Sequence, residues 1–247
     1  MYNPYQLTGK TILVTGASSG IGRATAIECS KLGAKVIVTA RNRERLEQTL
    51  NALEGNGHQM IVCDISDEEQ RQSLIEQCPP IDGLVNNAGI GDGYKTLKFI
   101  KHELLENVLR TNTNAPITLL SSLIRRKKLK KSASVVFTSS VSGLGGGAVG
   151  NGMYAASKGA LSAFVPVAAK ELAPLKIRVN AVCPDMIETS LTAADTLTEE
   201  QNQENMKQYP LGRWGKPEEV AWAIIYLLSD ASAFTSGINL RVNGGRN

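Results

Sequence analysis

The sequence predicts a single-domain α/β fold, a doubly wound parallel sheet with helices on both faces, and three observations predict it. Short β-branched runs alternate with helix-patterned segments from Thr11 almost to the last residue. The runs are apolar at consecutive positions, as in strands buried on both faces. The first run ends in a glycine-rich turn that opens directly into a helix. Strands joined through helices form right-handed βαβ units, which lay the strands parallel and cover both sides of the sheet.

In chain order, "TILVTG" (Thr11–Gly16) is the first strand, followed by the helix pattern "RATAIECSKLGA". "KVIVTA" (Lys35–Ala40) is the second strand, and the polar helix after it stops at the glycines of "LEGNG". "QMIVCD" (Gln59–Asp64) is the third strand; Ser66 is the expected N-cap of the next helix, with Glu69 completing a capping box. "DGLVNNAG" (Asp82–Gly89) is a strand running into a turn, His102 to Arg126 reads as helical, and "ASVVFTSS" (Ala133–Ser140) is the fifth strand. A helix follows through "MYAASKGALSAF" to about Ala173, and "KIRVNAVCP" (Lys176–Pro184) is the sixth strand. "PEEVAWAIIYLLSD" (Pro217–Asp230) carries proline in its first turn, as helices tolerate, and "GINLRVNGG" (Gly237–Gly245) is the last strand. The least regular stretch, 185–217, is polar and follows a strand's carboxyl end; it reads as a lid over a site, with a surface insertion as the alternative.

A chain of 247 residues with a net charge of +4 can bury a large core without disulfides and shows no strong bias toward nucleic acid. Cys29, Cys63, Cys78 and Cys183 form no Cys-x-x-Cys pair, so free buried thiols in a reducing compartment are expected. "MYNPYQLTGK" has no apolar signal core and no apolar run approaches a membrane span, which together predict a soluble cytoplasmic protein. His58 and His102 lack metal-ligand spacing and read as surface residues; no metal is expected.

"TGASSGIG" sets Gly16, Gly20 and Gly22 between the first strand and its helix. Such glycines allow a tight turn and close approach of a pyrophosphate to the helix N-terminus, so the segment predicts dinucleotide binding. The second strand ends at Ala40-Arg41 with no carboxylate for a ribose 2′-hydroxyl. Arg41, with Arg43 as a second candidate, suits a 2′-phosphate, so NADP(H) is preferred over NAD(H). Asp64 is placed to reach the adenine amino group. Tyr154 and Lys158, four residues apart, share one helix face. Bringing a phenol of pKa about 10 to neutrality needs roughly 4 kcal/mol. An ammonium about 4 Å away is worth a comparable amount at intermediate dielectric.

"TGASSGIG", "NNAG" (Asn86–Gly89), "FTSSVSG", "YAASK" (Tyr154–Lys158), "RVNAVCP" and "VNGG" occur in this order over essentially the whole chain. The set resembles the short-chain dehydrogenase/reductase family and is most similar to its 3-oxoacyl-[acyl-carrier-protein] reductase branch. The resemblance implies a Rossmann-type sheet of about seven strands in the order 3-2-1-4-5-6-7. It implies a catalytic tetrad of Asn112, Ser140, Tyr154 and Lys158. Tyr154 would give its proton to a carbonyl oxygen as hydride reaches the carbon, and Ser140 would hydrogen-bond that oxygen. Lys158 would also hold the nicotinamide ribose, and Asn112 a water linked to Lys158. Ser139, Ser142 and Asn114 are the local competitors. Cofactor contacts are expected from Ser18, Ser19 and Ile21 in the turn, from Ile65 beside Asp64, and from Asn87, Ala88 and Gly89. Pro184 would contact the nicotinamide end, and Ile187 and Thr189 would hold the carboxamide.

One residue departs from the family pattern: Asp185 stands where glycine usually follows the proline, setting a carboxylate near the expected nicotinamide pocket on a backbone that glycine adopts more cheaply. "RRKKLKK" (Arg125–Lys131) reads as a solvated helix end, or as a docking patch for an acidic carrier protein. The leading expectation is an NADP(H)-dependent reductase of a ketone, with 3-oxoacyl thioesters first among substrates. A reductase of sugars, polyols or other secondary alcohols is the alternative, and an NADP-binding sensor or scaffold the non-enzymatic one. The resemblance also implies a homotetramer, with contacts through the helix after Tyr154 and through Pro217–Asp230.

Overall fold

The computed structural model describes residues 2–91, 93–189 and 199–246. Seven strands form one sheet: β1 (Thr11–Thr15), β2 (Lys35–Ala40), β3 (Gln59–Val62), β4 (Ile81–Asn86), β5 (Leu129–Thr138), β6 (Arg178–Pro184) and β7 (Asn239–Val242). Their order is β3-β2-β1-β4-β5-β6-β7 and every pairing is parallel, as expected. The helices are α1 (Gly20–Lys31), α2 (Arg43–Asn51), α3 (Glu68–Gln77), α4 (His102–Leu109), α5 (Ala115–Arg125), α6 (Gly152–Leu172), α7 (Glu199–Met206) and α8 (Pro217–Leu228).

Two cores flank the sheet because successive strand residues point to opposite faces. Leu13, Ile37, Leu84 and Phe137 pack with Leu74 of α3, Leu119 of α5 and Leu161 of α6. Their neighbours Val14, Val38, Val85 and Val136 pack on the other side with Ala26 of α1, Leu46 of α2 and Ile224 of α8. All four cysteines are free and buried; burial pushes the Cys29 and Cys63 thiols up to about 12.

The differences from the sequence reading have local causes. Asp67, not Ser66, caps α3, and its carboxylate accepts from Gln70 N. Ser66 instead donates to Asp64 Oδ1 at 2.7 Å, so the Ser66–Glu69 box does not form. The long segment after His102 is interrupted by a π turn, Arg110–Asn114, between α4 and α5. α6 continues through Pro166. Proline donates no bond to the Ser162 carbonyl, which accepts from Asn239 Nδ2 at 3.0 Å and so ties the helix to β7. His58 is half-buried, not a free surface residue; its Nδ1 accepts from Val36 N at 3.1 Å and its Nε2 lies 2.9 Å from the Glu54 carbonyl. The stretch read as irregular contains α7, and its base is closed by a bridge between Ile187 and Gly215; residues 190–198 of that expected lid lie outside the described residues.

Candidate active site

In a sheet of this order the chain leaves β1 toward one neighbour and β4 toward the other, which opens a crevice at the strands' carboxyl ends. A cavity of about 410 Å³ lies there, within the size range of ligand sites.

Its floor is the turn after β1, with Gly16, Ser18, Ser19, Gly20 and Ile21 all lining it. Gly16 has φ +66°, and a Cβ there would lie 2.7 Å from Ala88 Cα, so the turn and the "NNAG" strand end touch only because the residue is glycine. Gly22 does not line the cavity; a Cβ there would sit 2.3 Å from the Gly16 carbonyl oxygen. Ser19, the N-cap of α1, makes no side-chain cap bond, so the amides of the first helical turn are not satisfied by a side chain and suit an anion. The turn therefore fits a pyrophosphate. Gly22→Ala is expected to weaken dinucleotide binding by about tenfold or more, since the backbone oxygen it meets cannot yield cheaply; a fluorescence titration checks this.

At the other rim stand Arg41, Asn42 and Arg45, with Ala40 closing β2. Asn42 caps α2 by accepting from Arg45 N, so the next cationic side chain to line the rim after Arg41 is Arg45, one helical turn on from Asn42. Sequence reading named Arg43 instead; it turns away, 3.8 Å from Glu47. Asp64 and Ile65 line the same end. Asp64 Oδ1 is occupied by Ser66, and Oδ2 lies 3.8 Å from Arg41 Nη1.

The remaining wall is formed by Asn87, Ala88 and Gly89 with Thr138, Tyr154 and Lys158. Lys158 is 3% exposed, its Nζ donates to the Thr138 carbonyl at 2.7 Å, and it lies 5.7 Å from the Tyr154 ring centre. Burial pulls its pKa from 10.5 down to about 8. Gly143 lets the segment after β5 close on α6, because a Cβ there would be 2.5 Å from the Lys158 carbonyl carbon.

Ser140 is buried and does not line the cavity; its hydroxyl donates to the Pro184 carbonyl at 3.3 Å and accepts from Ser142 N. Ser139 turns into the protein, donating to the Lys158 carbonyl and meeting Ser162 Oγ at 2.8 Å. Ser142 accepts from Asn151. Asn112 is fully buried in the π turn, whereas its competitor Asn114 is exposed. The Asn112 amide is committed: Nδ2 donates to the Ile90 carbonyl and Ser157 Oγ, and Oδ1 accepts from Ile90 N at 2.8 Å. A Cβ at Gly89 would lie 3.2 Å from Asn112 Oδ1 and 3.4 Å from Lys158 Nζ, so this glycine lets the two approach. Thr189 lines the cavity against the glycine turn, within 3.1 Å of a Cβ built on Gly20. Pro184 and Ile187 do not line it; Ile187 is 4% exposed and packs in the α8-side core. Asp185 is not among the left-handed residues. Its carboxylate is turned to Arg246, at 3.6 Å, rather than into the cavity.

Among the described residues no group of three or more His, Cys, Asp or Glu could hold a metal, and no helix is long and apolar enough to cross a membrane. A family model described as "Enoyl-(Acyl carrier protein) reductase" matches residues 16–247. The 3-oxoacyl-[acyl-carrier-protein] reductase FabG of Rickettsia prowazekii is 37% identical over 239 residues, 97% of either chain. That of Aquifex aeolicus is 37% identical over 249 residues, covering 97% of this chain and 98% of its own. A crystal structure of 3-ketoacyl-(acyl-carrier-protein) reductase from Brucella melitensis complexed with NADH superposes with a TM-score of 0.87 at 29% identity, covering 98% of this chain and 99% of that one. With the family model covering residues 16–247 and these relatives matching nearly the whole chain, the chain belongs to the short-chain dehydrogenase/reductase family.

Proposed function

We propose that residues 1–247 act as one NADP(H)-dependent oxidoreductase domain that interconverts a ketone and a secondary alcohol, with 3-oxoacyl thioesters of acyl carrier protein as the substrate. The observation that carries the reading is the convergence of Tyr154 and buried Lys158 on the cavity whose floor is the glycine turn. The relatives named above are 3-oxoacyl reductases over their full length, which favours carbonyl reduction over the alkene reduction named in the family description.

The nicotinamide, when bound, supplies the hydride. The protein's part is to hold the carbonyl and deliver a proton. Tyr154 gives its phenolic proton to the carbonyl oxygen as negative charge develops there. Lys158 stays cationic below about pH 8 and lowers the cost of the phenolate left behind. Ser140 stabilises the same oxygen by turning its hydroxyl away from Pro184; that bond, at 3.3 Å, is long and costs little to exchange. Asn112 fixes Ile90, and with it Gly89, beside Lys158 through its side-chain bonds and is the residue that would hold a water linked to Lys158.

Arg41 and Arg45 flank the adenosine end with no carboxylate on Ala40, which supports NADP(H) over NAD(H). Arg41→Ala is expected to lower kcat/KM for NADPH by about 10- to 100-fold, the worth of a charged hydrogen bond. Activity with NADH should stay nearly constant, and steady-state assays with both nucleotides check this. The basic run Arg125–Lys131 does not strengthen the carrier reading within one protomer. It lies where β5 begins, whereas Thr138 at the far end of that strand lines the cavity, about 20 Å away, because the irregular stretch Leu129–Phe137 runs beside only Ile81–Asn86. Support for a carrier-bound substrate therefore rests on the relatives. The free buried thiols suit a reducing cytoplasm. The homotetramer remains part of the proposal: Val167 on α6, Trp222 on α8 and Phe234 beyond it are exposed at 53%, 55% and 106%, and light scattering tests the mass.

NADPH oxidation with 3-oxoacyl thioesters, sugars, polyol-derived ketones and simple ketones tests the reading. Fastest turnover on the acyl thioesters is expected. A preference for sugar ketones would move the substrate class, and binding without turnover on the whole panel would leave a nucleotide sensor.

A further inference from the structure

Three segments distant in sequence meet beside the reactive end of the cavity. Asp185 directly follows Pro184, whose carbonyl accepts from Ser140, and its own N–H donates to the Val242 carbonyl at 3.2 Å. Tyr209 follows α7 and is 3% exposed. Arg246 follows β7 and reaches both: Nη1 donates to Tyr209 Oη at 2.8 Å and lies 3.6 Å from Asp185 Oδ1, while Nη2 donates to Gln208 Oε1 at 2.9 Å. Its guanidinium carbon lies 5.0 Å from the Tyr209 ring centre, within cation–π range. Gly244 and Gly245 lie against Tyr209 and Pro210. Asn243 Nδ2 donates to the Arg246 carbonyl, and Arg246 N to the Asn243 carbonyl, so the arginine's own backbone is fixed. Burial, reinforced by the Asp185 carboxylate, pushes the Tyr209 phenol up to about 12, so it remains a neutral donor and acceptor.

We propose that Asp185, Tyr209 and Arg246 form a clasp through which the segment after β7 sets the position of residues 185–189 beside the substrate end of the site. The proposal rests on the reductase reading and makes these three positioning residues. It gives the unusual aspartate a purpose. Glycine at 185 would leave Arg246 with two neutral partners; the carboxylate adds a charge partner with 14% side-chain exposure, where screening is weaker than at the surface. Residues 185–189 lead from Pro184, which touches Ser140, to Thr189, which lines the cavity. Fixing their start and the segment after α7 to one guanidinium thus fixes the wall a substrate meets before hydride transfer.

The test compares Arg246→Met, Asp185→Asn and the double variant with wild type, using NADPH and a 3-oxoacyl thioester. Each single change is expected to raise KM for the thioester about tenfold, as loss of a partly buried ion pair would. kcat should change less and the NADPH dissociation constant hardly at all. The double variant should be no worse than either single one, because the same contact is lost. Arg246→Lys should recover part of the affinity. Unchanged KM in Arg246→Met, or losses that multiply in the double variant, would overturn the clasp. Wild-type protein inactive on every ketone would instead overturn the reductase reading. The clasp is then read by amide hydrogen exchange: faster exchange at 208–212 in Arg246→Met supports it, and unchanged exchange there rejects it.

Discussion

Tyr154→Phe is expected to cut kcat for carbonyl reduction by roughly 10²- to 10⁴-fold, the usual worth of a positioned general acid. NADPH affinity should stay nearly constant. The substitution removes one oxygen from a half-buried side chain whose neighbours are otherwise unchanged. The glycine turn and the Arg41 rim, the proposed nucleotide-binding elements, lie elsewhere along the cavity. The variant should melt close to wild type, so a loss of turnover reports chemistry rather than folding. Stopped-flow measurement of NADPH consumption at saturating substrate, beside a binding titration, separates the two quantities. A fall in affinity that matched the fall in rate would make Tyr154 a binding residue only.

Lys158→Met carries the second large effect. A unit charge 5.7 Å from the Tyr154 ring centre favours the phenolate by about 3 kcal/mol at an effective dielectric near 20, so its removal should cost about 100-fold in rate. The wild-type pH profile should show the same dependence without mutation. Lys158 is cationic below about pH 8 and neutral above, so reduction should slow as pH rises through that value. Its effect on stability in the nucleotide-free protein has the opposite sense to a paired lysine. The folded value, about 8, lies below the ordinary 10.5, so between those pH values the unfolded chain binds more protons and stability rises with pH. At pH 7 the full cost of burying the charge is present. Lys158→Met should therefore melt no lower than wild type while being nearly inactive, a pairing that a structural lysine would not give. Differential scanning calorimetry at pH 7 and pH 10 checks the sign.

Much of this was legible in the sequence, for identifiable reasons. β1 (TILVT) and β2 (KVIVTA) are short β-branched runs buried on both faces, and their length and branching favour strand over helix. Tyr154 and Lys158 were visible because four residues is one helical turn. The rim was less legible. Arg43 and Arg45 are equally basic, and only the Asn42 cap, which sets the phase of α2, turns Arg45 to the cavity and Arg43 to Glu47. The Ser66 cap failed because Asp67 is an equally good capping residue and Asp64 competes for the serine hydroxyl. The π turn leaves no compositional mark in "RTNTN", being fixed by buried Asn112 and Thr113 bonding across to α6 and Ile90. The Asp185–Arg246 contact joins positions 61 residues apart, and the β6–β7 pairing brings them together.

The central claim is that hydride passes directly to a carbonyl carbon in the cavity bounded by the glycine turn and Tyr154. Incubation with NADPH carrying deuterium at the transferable C4 position, a 3-oxoacyl thioester and wild-type protein tests it most directly. Product bearing deuterium on the new carbinol carbon, and none formed by Tyr154→Phe on the same timescale, is the predicted result. Carbinol formed without deuterium at that carbon from either C4-labelled epimer, or equal labelling by the Tyr154→Phe variant at the wild-type rate, would contradict it.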